Sequence, residues 1–258
     1  MRPFSVVMAL FLFFSFPACS WSFQNANDVA SDTDGIVSDI GSRIETTDIE
    51  NGQTYLDMSY FYKSYKGSSA DYKAFPILLR FDGGKGLEWR IATDFLTYQK
   101  PVFGFADTDI GFKWNFKKNN PSLALISMVT LDSGKREFSD NAVEPEVQLA
   151  GNYKLTTNWS MSAFVREKSL VDAASRDRFN QPKYGVNVNF QASKKSSAFL
   201  GFSEFSPNAH PNGQDVRRIN GGVSLDISKC ESFYISLEKA LSEGDIQLSG
   251  TFGYSCKL

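Results

Sequence analysis

Residues 108–117 read TDIGFKWNFK, and the order of these ten side chains decides the fold. In an extended chain successive side chains point to opposite faces. Ile110, Phe112, Trp114 and Phe116 therefore share one face, and Asp109, Gly111, Lys113 and Asn115 share the other. The same division recurs twice downstream. Tyr184, Val186, Val188 and Phe190 oppose Gly185, Asn187, Asn189 and Gln191, and Ile246, Leu248, Phe252 and Tyr254 oppose Gln247, Ser249, Thr251 and Ser255. A slip of one residue would turn every one of these side chains to the wrong face, so the pattern specifies register as well as strand.

Outward from this stretch the alternation continues in both directions. It predicts twelve segments, at 53–64, 69–81, 86–98, 105–117, 121–132, 142–155, 158–168, 180–192, 196–206, 215–228, 230–240 and 245–257. The fifth and ninth are ambiguous, because Leu123 and Ile126, and likewise Phe199 and Phe202, place apolar side chains on both parities. Segments of about ten residues with one apolar and one polar face are what a membrane-spanning barrel requires. The connections alternate in length. Those at 82–85, 118–120, 156–157, 193–195 and 229 are tight, and those at 133–141, 169–179 and 207–214 are long. Bacterial outer-membrane barrels have short periplasmic turns and longer external loops, so the expected fold is an all-β transmembrane antiparallel barrel of about 12 strands with both termini periplasmic.

Composition agrees. Aromatic residues form 14% of the 258, with 23 Phe and 10 Tyr, which suits strands whose outer faces meet something apolar. The net charge of -2 gives no broad basic field, so nucleic acid is not an expected partner. Arg2, the apolar run from Val6 to Phe16 and the small residues Ala18, Ser20 and Ser22 read as a secretory signal over 1–22. An uncleaved anchor and a lipoprotein acylated at Cys19 are the alternatives. Residues 23–52 are polar and read as a lead-in or small plug, and 53–258 as the barrel. No run after the signal approaches the ~18 apolar residues of a membrane helix, so a membrane location demands a closed barrel. The expected partners are the lipid bilayer of the bacterial outer membrane, its assembly machinery and an unspecified small-molecule solute.

Trp89, Trp114 and Trp159 each lie close to a tight turn, where an aromatic girdle at the membrane boundary would place them; ordinary core packing is the alternative. Pro76 interrupts the second segment and requires a bulge, because proline cannot donate to the ladder. Cys230 and Cys256 form an even pair in an oxidising compartment. A last hairpin centred on Glu243 sets them opposite each other as a candidate disulfide. Matching Phe233 with Phe252 instead shifts the register by one and puts the cysteines on opposite faces unless a bulge restores them, with two free thiols as the alternative.

Little in the chain suggests catalysis. The single histidine, His210, sits among Asn208, Pro211, Asn212 and Gly213, a loop ill suited to holding a general base. Histidine-based metal sites are excluded by count, no cofactor is expected, and the chain does not read as an enzyme. The chemistry lies in the charges of the wet face: Asp57, Arg80, Glu88, Arg90, Asp94, Asp107, Asp109, Lys113, Glu144, Glu146, Lys154, Arg166, Arg218 and Asp226, with Tyr72 beside them. Either they neutralise one another across the lumen, or part of the set lines a solute path.

From about Leu87 to the C-terminus the chain resembles the outer-membrane family named after the meta-pathway of phenol degradation, whose members are described as transporters. The residues concerned are ADTDIGFKWNF at 106–116, VTLDSG at 129–134 and EPEVQLAGNYKL at 144–155. Ala106 stands where the family pattern has Gly, Asp132 and Ser133 where it has Pro-Thr, and Leu258 ends the chain in place of an aromatic. The resemblance implies uptake of small, often aromatic or apolar compounds. The expected function is thus a passive channel, with a closed structural or surface-binding barrel, and less so a lipid-modifying enzyme, as rivals.

Overall fold

The computed structural model describes residues 52–65, 71–99, 101–139, 141–171, 176–205, 216–228, 230–241 and 246–258. The signal region, the lead-in up to residue 51 and His210 lie outside these residues.

The strands are β1 (Thr54–Tyr65), β2 (Tyr72–Gly84), β3 (Leu87–Gln99), β4 (Val102–Gly104), β5 (Thr108–Lys117), β6 (Ser122–Leu131) and β7 (Glu144–Lys154). They continue as β8 (Trp159–Val171), β9 (Arg178–Gln191), β10 (Ser196–Phe205), β11 (Val216–Asp226), β12 (Glu231–Ala240) and β13 (Ile246–Lys257). All pairings are antiparallel between neighbours in the chain except that β3 pairs with β5 past the short β4, and β1 pairs with β13, so twelve strands close into a ring. The three-residue β4, which the alternation did not predict, hairpins back onto the end of β3. At one end of the barrel the connections are 85–86, 118–121, 155–158, 192–195 and 227–230. At the other they are 66–71, 100–107, 132–143, 172–177, 206–215 and 241–245. Both ends of the ring's seam lie at the short-turn end, where the Leu258 N–H donates to Thr54 O at 2.9 Å.

Closure satisfies the backbone without solvent, and the side chains then sort by parity. Val165, Leu200, Val223, Ile235 and Leu237 point outward and are half or more exposed, as no soluble core would leave them. Pairing settles the two ambiguous segments. Lys113 opposite Ile126 and Asn115 opposite Ala124 turn Ile126 inward and leave Leu123 outside, while Asn189 opposite Phe199 turns Phe199 inward and Phe202 out. Trp89, Trp114 and Trp159 all face outward beside the short turns, 45–46% exposed, which is the girdle arrangement and not core packing. Pro76 is fully buried in the interior, and the β2–β3 register shifts between Ala74 and Pro76, the bulge that proline requires.

At the long-connection end, the segment after β6 folds back. Phe138, in a 3₁₀ turn at Arg136–Phe138, is buried in a cluster with Phe61, Tyr72, Ala74 and Ala106, packed against Val102. This apolar knot caps the interior over β1–β3.

The last hairpin adopts neither register weighed for the cysteines. Cys256 pairs with Glu231, and the Lys257 N–H donates to Cys230 O at 2.8 Å. Both thiols are free, so the candidate disulfide is not formed.

Candidate functional site

The interior of the ring is the candidate site, and its two walls differ in chemistry. On β1–β8 the inward charges are tied into pairs. Arg80 donates from Nε to Asp57 Oδ2 at 2.6 Å and from Nη2 to Asp57 Oδ1 at 3.1 Å, a two-pronged contact that fixes both side chains. Arg90 donates to Glu88 Oε1 at 2.7 Å, and Lys113, wholly buried, reaches Glu88 Oε2 at 3.1 Å. One carboxylate thus serves two cations from neighbouring strands. Nearer the long connections Arg166 pairs with Glu146 at 3.5 Å and Lys168 with Glu144 at 3.2 Å. The Tyr72 hydroxyl donates to Asp94 Oδ2 at 3.1 Å, and the Thr130 hydroxyl to Asp109. Strand alternation explains the set: each charge sits on the inward parity, and antiparallel pairing brings opposite signs onto adjacent strands, save for Glu88 and Arg90, which are inward neighbours two residues apart on β3. Charge held away from bulk water is costly unless so compensated.

The sequence-predicted residues separate accordingly. Asp57, Arg80, Glu88, Arg90, Asp94, Lys113, Glu144, Glu146, Arg166 and Arg218 lie inside and largely buried, and Asp109 joins them half-buried. Three stand apart. Asp107 belongs to the connection before β5, where its Oδ1 accepts from the N–H groups of Ser133 and Gly134 and so fastens the segment that carries Phe138. Lys154 is exposed at the short-turn end, and Asp226 lies there half-buried. Sequence reasoning missed Lys63, Lys168, Lys183 and Glu238, although parity along their strands marks all four as inward. Lys63 stacks over Phe61 at 5.3 Å from its ring centre, and Arg218, paired with Glu238 at 3.2 Å, stacks over Phe205 at 4.8 Å.

The β10–β13 wall is different. Between the Arg218–Glu238 pair and Asp226 it turns only uncharged residues inward: Ser197, Phe199, Asn220, Ser224, Tyr234, Ser236, Thr251 and Ser255, separated by Gly201, Gly222 and Gly253. Most of these side chains are half-buried and Thr251 is buried, so what separates this wall from the paired charges opposite is its lack of charge. A cavity of about 20 Å³, room for one water, opens in this wall beside Phe61, Asn220, Ser236, Glu238, Ser249 and Thr251. Among the described residues no group of three or more His, Cys, Asp or Glu is arranged to hold a metal ion.

No family model matches the sequence, and no curated relative matches it. The fold does have solved counterparts. The chain is similar to an outer-membrane channel from Pseudomonas putida F1, at 11% identity over 83% of this chain and 98% of that one, with a TM-score of 0.68. It is similar to the NanC porin, at 12% identity over 79% and 100% of the two chains, with a TM-score of 0.61. It also resembles the translocator domain of the autotransporter NalP from Neisseria meningitidis, at 8% identity over 85% and 92%, with a TM-score of 0.55. What is shared at such identities is architecture. The chain is a closed antiparallel barrel of the bacterial outer-membrane type.

Proposed function

We propose that this protein is a passive outer-membrane channel for small molecules, with the chain ends and short turns on the periplasmic side. The observation that carries the reading is the asymmetric interior: charges pair on one wall, while the other turns only uncharged, mostly half-buried residues inward between the Arg218–Glu238 pair and Asp226. At the long-connection end the Phe138 knot narrows the lumen over β1–β3. The likeness to a channel and a porin supports the reading, and the resemblance to the phenol meta-pathway family supports uptake of small, often aromatic or apolar compounds. Export by the signal at 1–22 and insertion by the outer-membrane assembly machinery belong to the same proposal. The protein acts as a conduit and not as an enzyme, and it needs no cofactor.

A second reading, a structural barrel with a closed lumen and binding loops, draws on the complete burial of Lys113 and Glu88 and on the capped mouth. Planar-bilayer recording of the refolded mature protein separates the two. Discrete current steps, enlarged in Phe138→Ala, are expected of the channel. A folded protein that passes neither salt nor solute in both forms is the closed barrel.

A further inference from the structure

Below the Arg218–Glu238 pair, β10–β13 turn two aromatic rings inward, Phe199 and Tyr234, and each lies over a glycine of the next strand. Phe199 pairs with Gly222, where a Cβ would come 2.6 Å from the phenyl ring. Tyr234 pairs with Gly253, where a Cβ would overlap the phenol ring itself. Glycine at both positions lets the rings lie flat along the wall, and both residues are half-buried on its inner face. They sit in adjoining rows of the ladder. One row runs Phe199, Gly222, Ser236, Thr251, Phe61, and the next runs Ser197, Ser224, Tyr234, Gly253, Ser59.

Oxygen atoms with nothing to bind flank these rings. Ser59 is 2% exposed and its Oγ has no hydrogen-bond partner, and Asn220 Oδ1, beside the cavity, likewise has none. Buried polar atoms left unmatched are costly, and a ligand that supplies donors removes that cost. The hydroxyls of Ser236 and Thr251 border the same space. The nearest carboxylate, Glu238, is engaged by Arg218.

We propose that this wall is a binding site for a neutral pyranose, whose apolar ring face lies on Phe199 or Tyr234 while its hydroxyls reach Asn220, Ser59, Ser236 and Thr251. Flat aromatic faces suit the C–H face of a sugar. The number of facing oxygens exceeds what a single phenolic hydroxyl can satisfy, and a uniformly uncharged patch gives no anchor to a carboxylated sugar. This deepens the channel reading and rests on it, with a neutral sugar in place of the aromatic or apolar solutes that the family resemblance implies.

The test titrates D-glucose, phenol and galacturonate against the refolded mature barrel in detergent micelles, with binding read by calorimetry and salt current read separately in bilayers. Saturable glucose binding, weakened at least tenfold in Phe199→Ala or in Tyr234→Ala but retained in Tyr234→Phe, is expected, with the salt current preserved. Heat-modifiable migration verifies folding, and Asn220→Ala, expected to weaken glucose severalfold, substitutes for any ring variant that fails to fold. The proposal is overturned by a barrel that conducts salt yet binds no glucose, by glucose binding indifferent to both ring substitutions, or by tighter binding of phenol or galacturonate. Ring-dependent glucose binding without any current would uphold the site and defeat the channel.

Discussion

The β1–β8 wall and the β10–β13 wall enclose one lumen with opposite strategies. The first packs charges until they are sealed: Glu88 between Arg90 and Lys113, Asp57 gripped by Arg80, Glu146 and Glu144 held by Arg166 and Lys168. The second uses glycines, hydroxyls, an amide and two flattened rings, half-buried and without charge. A lumen filled with ion pairs all round would be a plug, and one lined only by small residues would lack cross-strand ties. The division puts the cross-strand ion pairs on one side and, on the proposed channel reading, passage on the other.

Breaking the sealed wall is expected to have the largest effect. Glu88→Ala leaves Arg90 and Lys113 buried without their shared carboxylate, and removal of one partner of a buried pair costs about 3–5 kcal/mol. Urea unfolding in detergent micelles reads this directly. A shift below about 1 kcal/mol would mean that the wall is wetter than its burial implies. Val165→Arg leaves both inner walls alone and tests the outer face. At 62% exposure Val165 would be a harmless site in water, but facing hydrocarbon near mid-membrane the substitution should cost about 2–4 kcal/mol in lipid-based unfolding.

On the open wall Gly253→Ala forces the Tyr234 ring off the backbone and should cost about 1–3 kcal/mol. Added to Tyr234→Ala it should cost almost nothing more, a coupling that a double-mutant cycle detects. The smallest expected effect sharpens the contrast of the walls. Ser224→Ala removes one half-buried hydroxyl pair of this wall, that with Ser197 at 2.8 Å, and should lower stability by about 1 kcal/mol or less in the same urea assay.

The strands were legible because their alternation is a local property: residues 108–117 assign Ile110, Phe112, Trp114 and Phe116 to lipid with no knowledge of the neighbours. β6 and β10 were not legible in the same way, since Ile126, Met128 and Phe199 face the lumen despite being apolar, and only pairing with β5 and β9 shows it. β4 is three residues long and makes no periodic signal. The lumen charges were largely legible from parity, which would also have found Lys63, Lys168, Lys183 and Glu238 had it been applied to every strand. Asp107 was misread because a carboxylate that caps a turn and one that lines a wall look alike in sequence. The cysteine register depended on the geometry of the connection at 241–245, for which Ser242, Glu243 and Gly244 admit several solutions. The glycine-and-ring arrangement needs two strands at once, so it could not be seen in either.

The account depends on a closed ring that turns its apolar face to lipid. Fractionation of cells expressing the full chain, followed by gel migration of unheated and heated samples, tests it most directly. The account predicts recovery with the outer membrane and a compact species that changes mobility only on heating in detergent. Recovery as a freely soluble monomer with no such shift would contradict it.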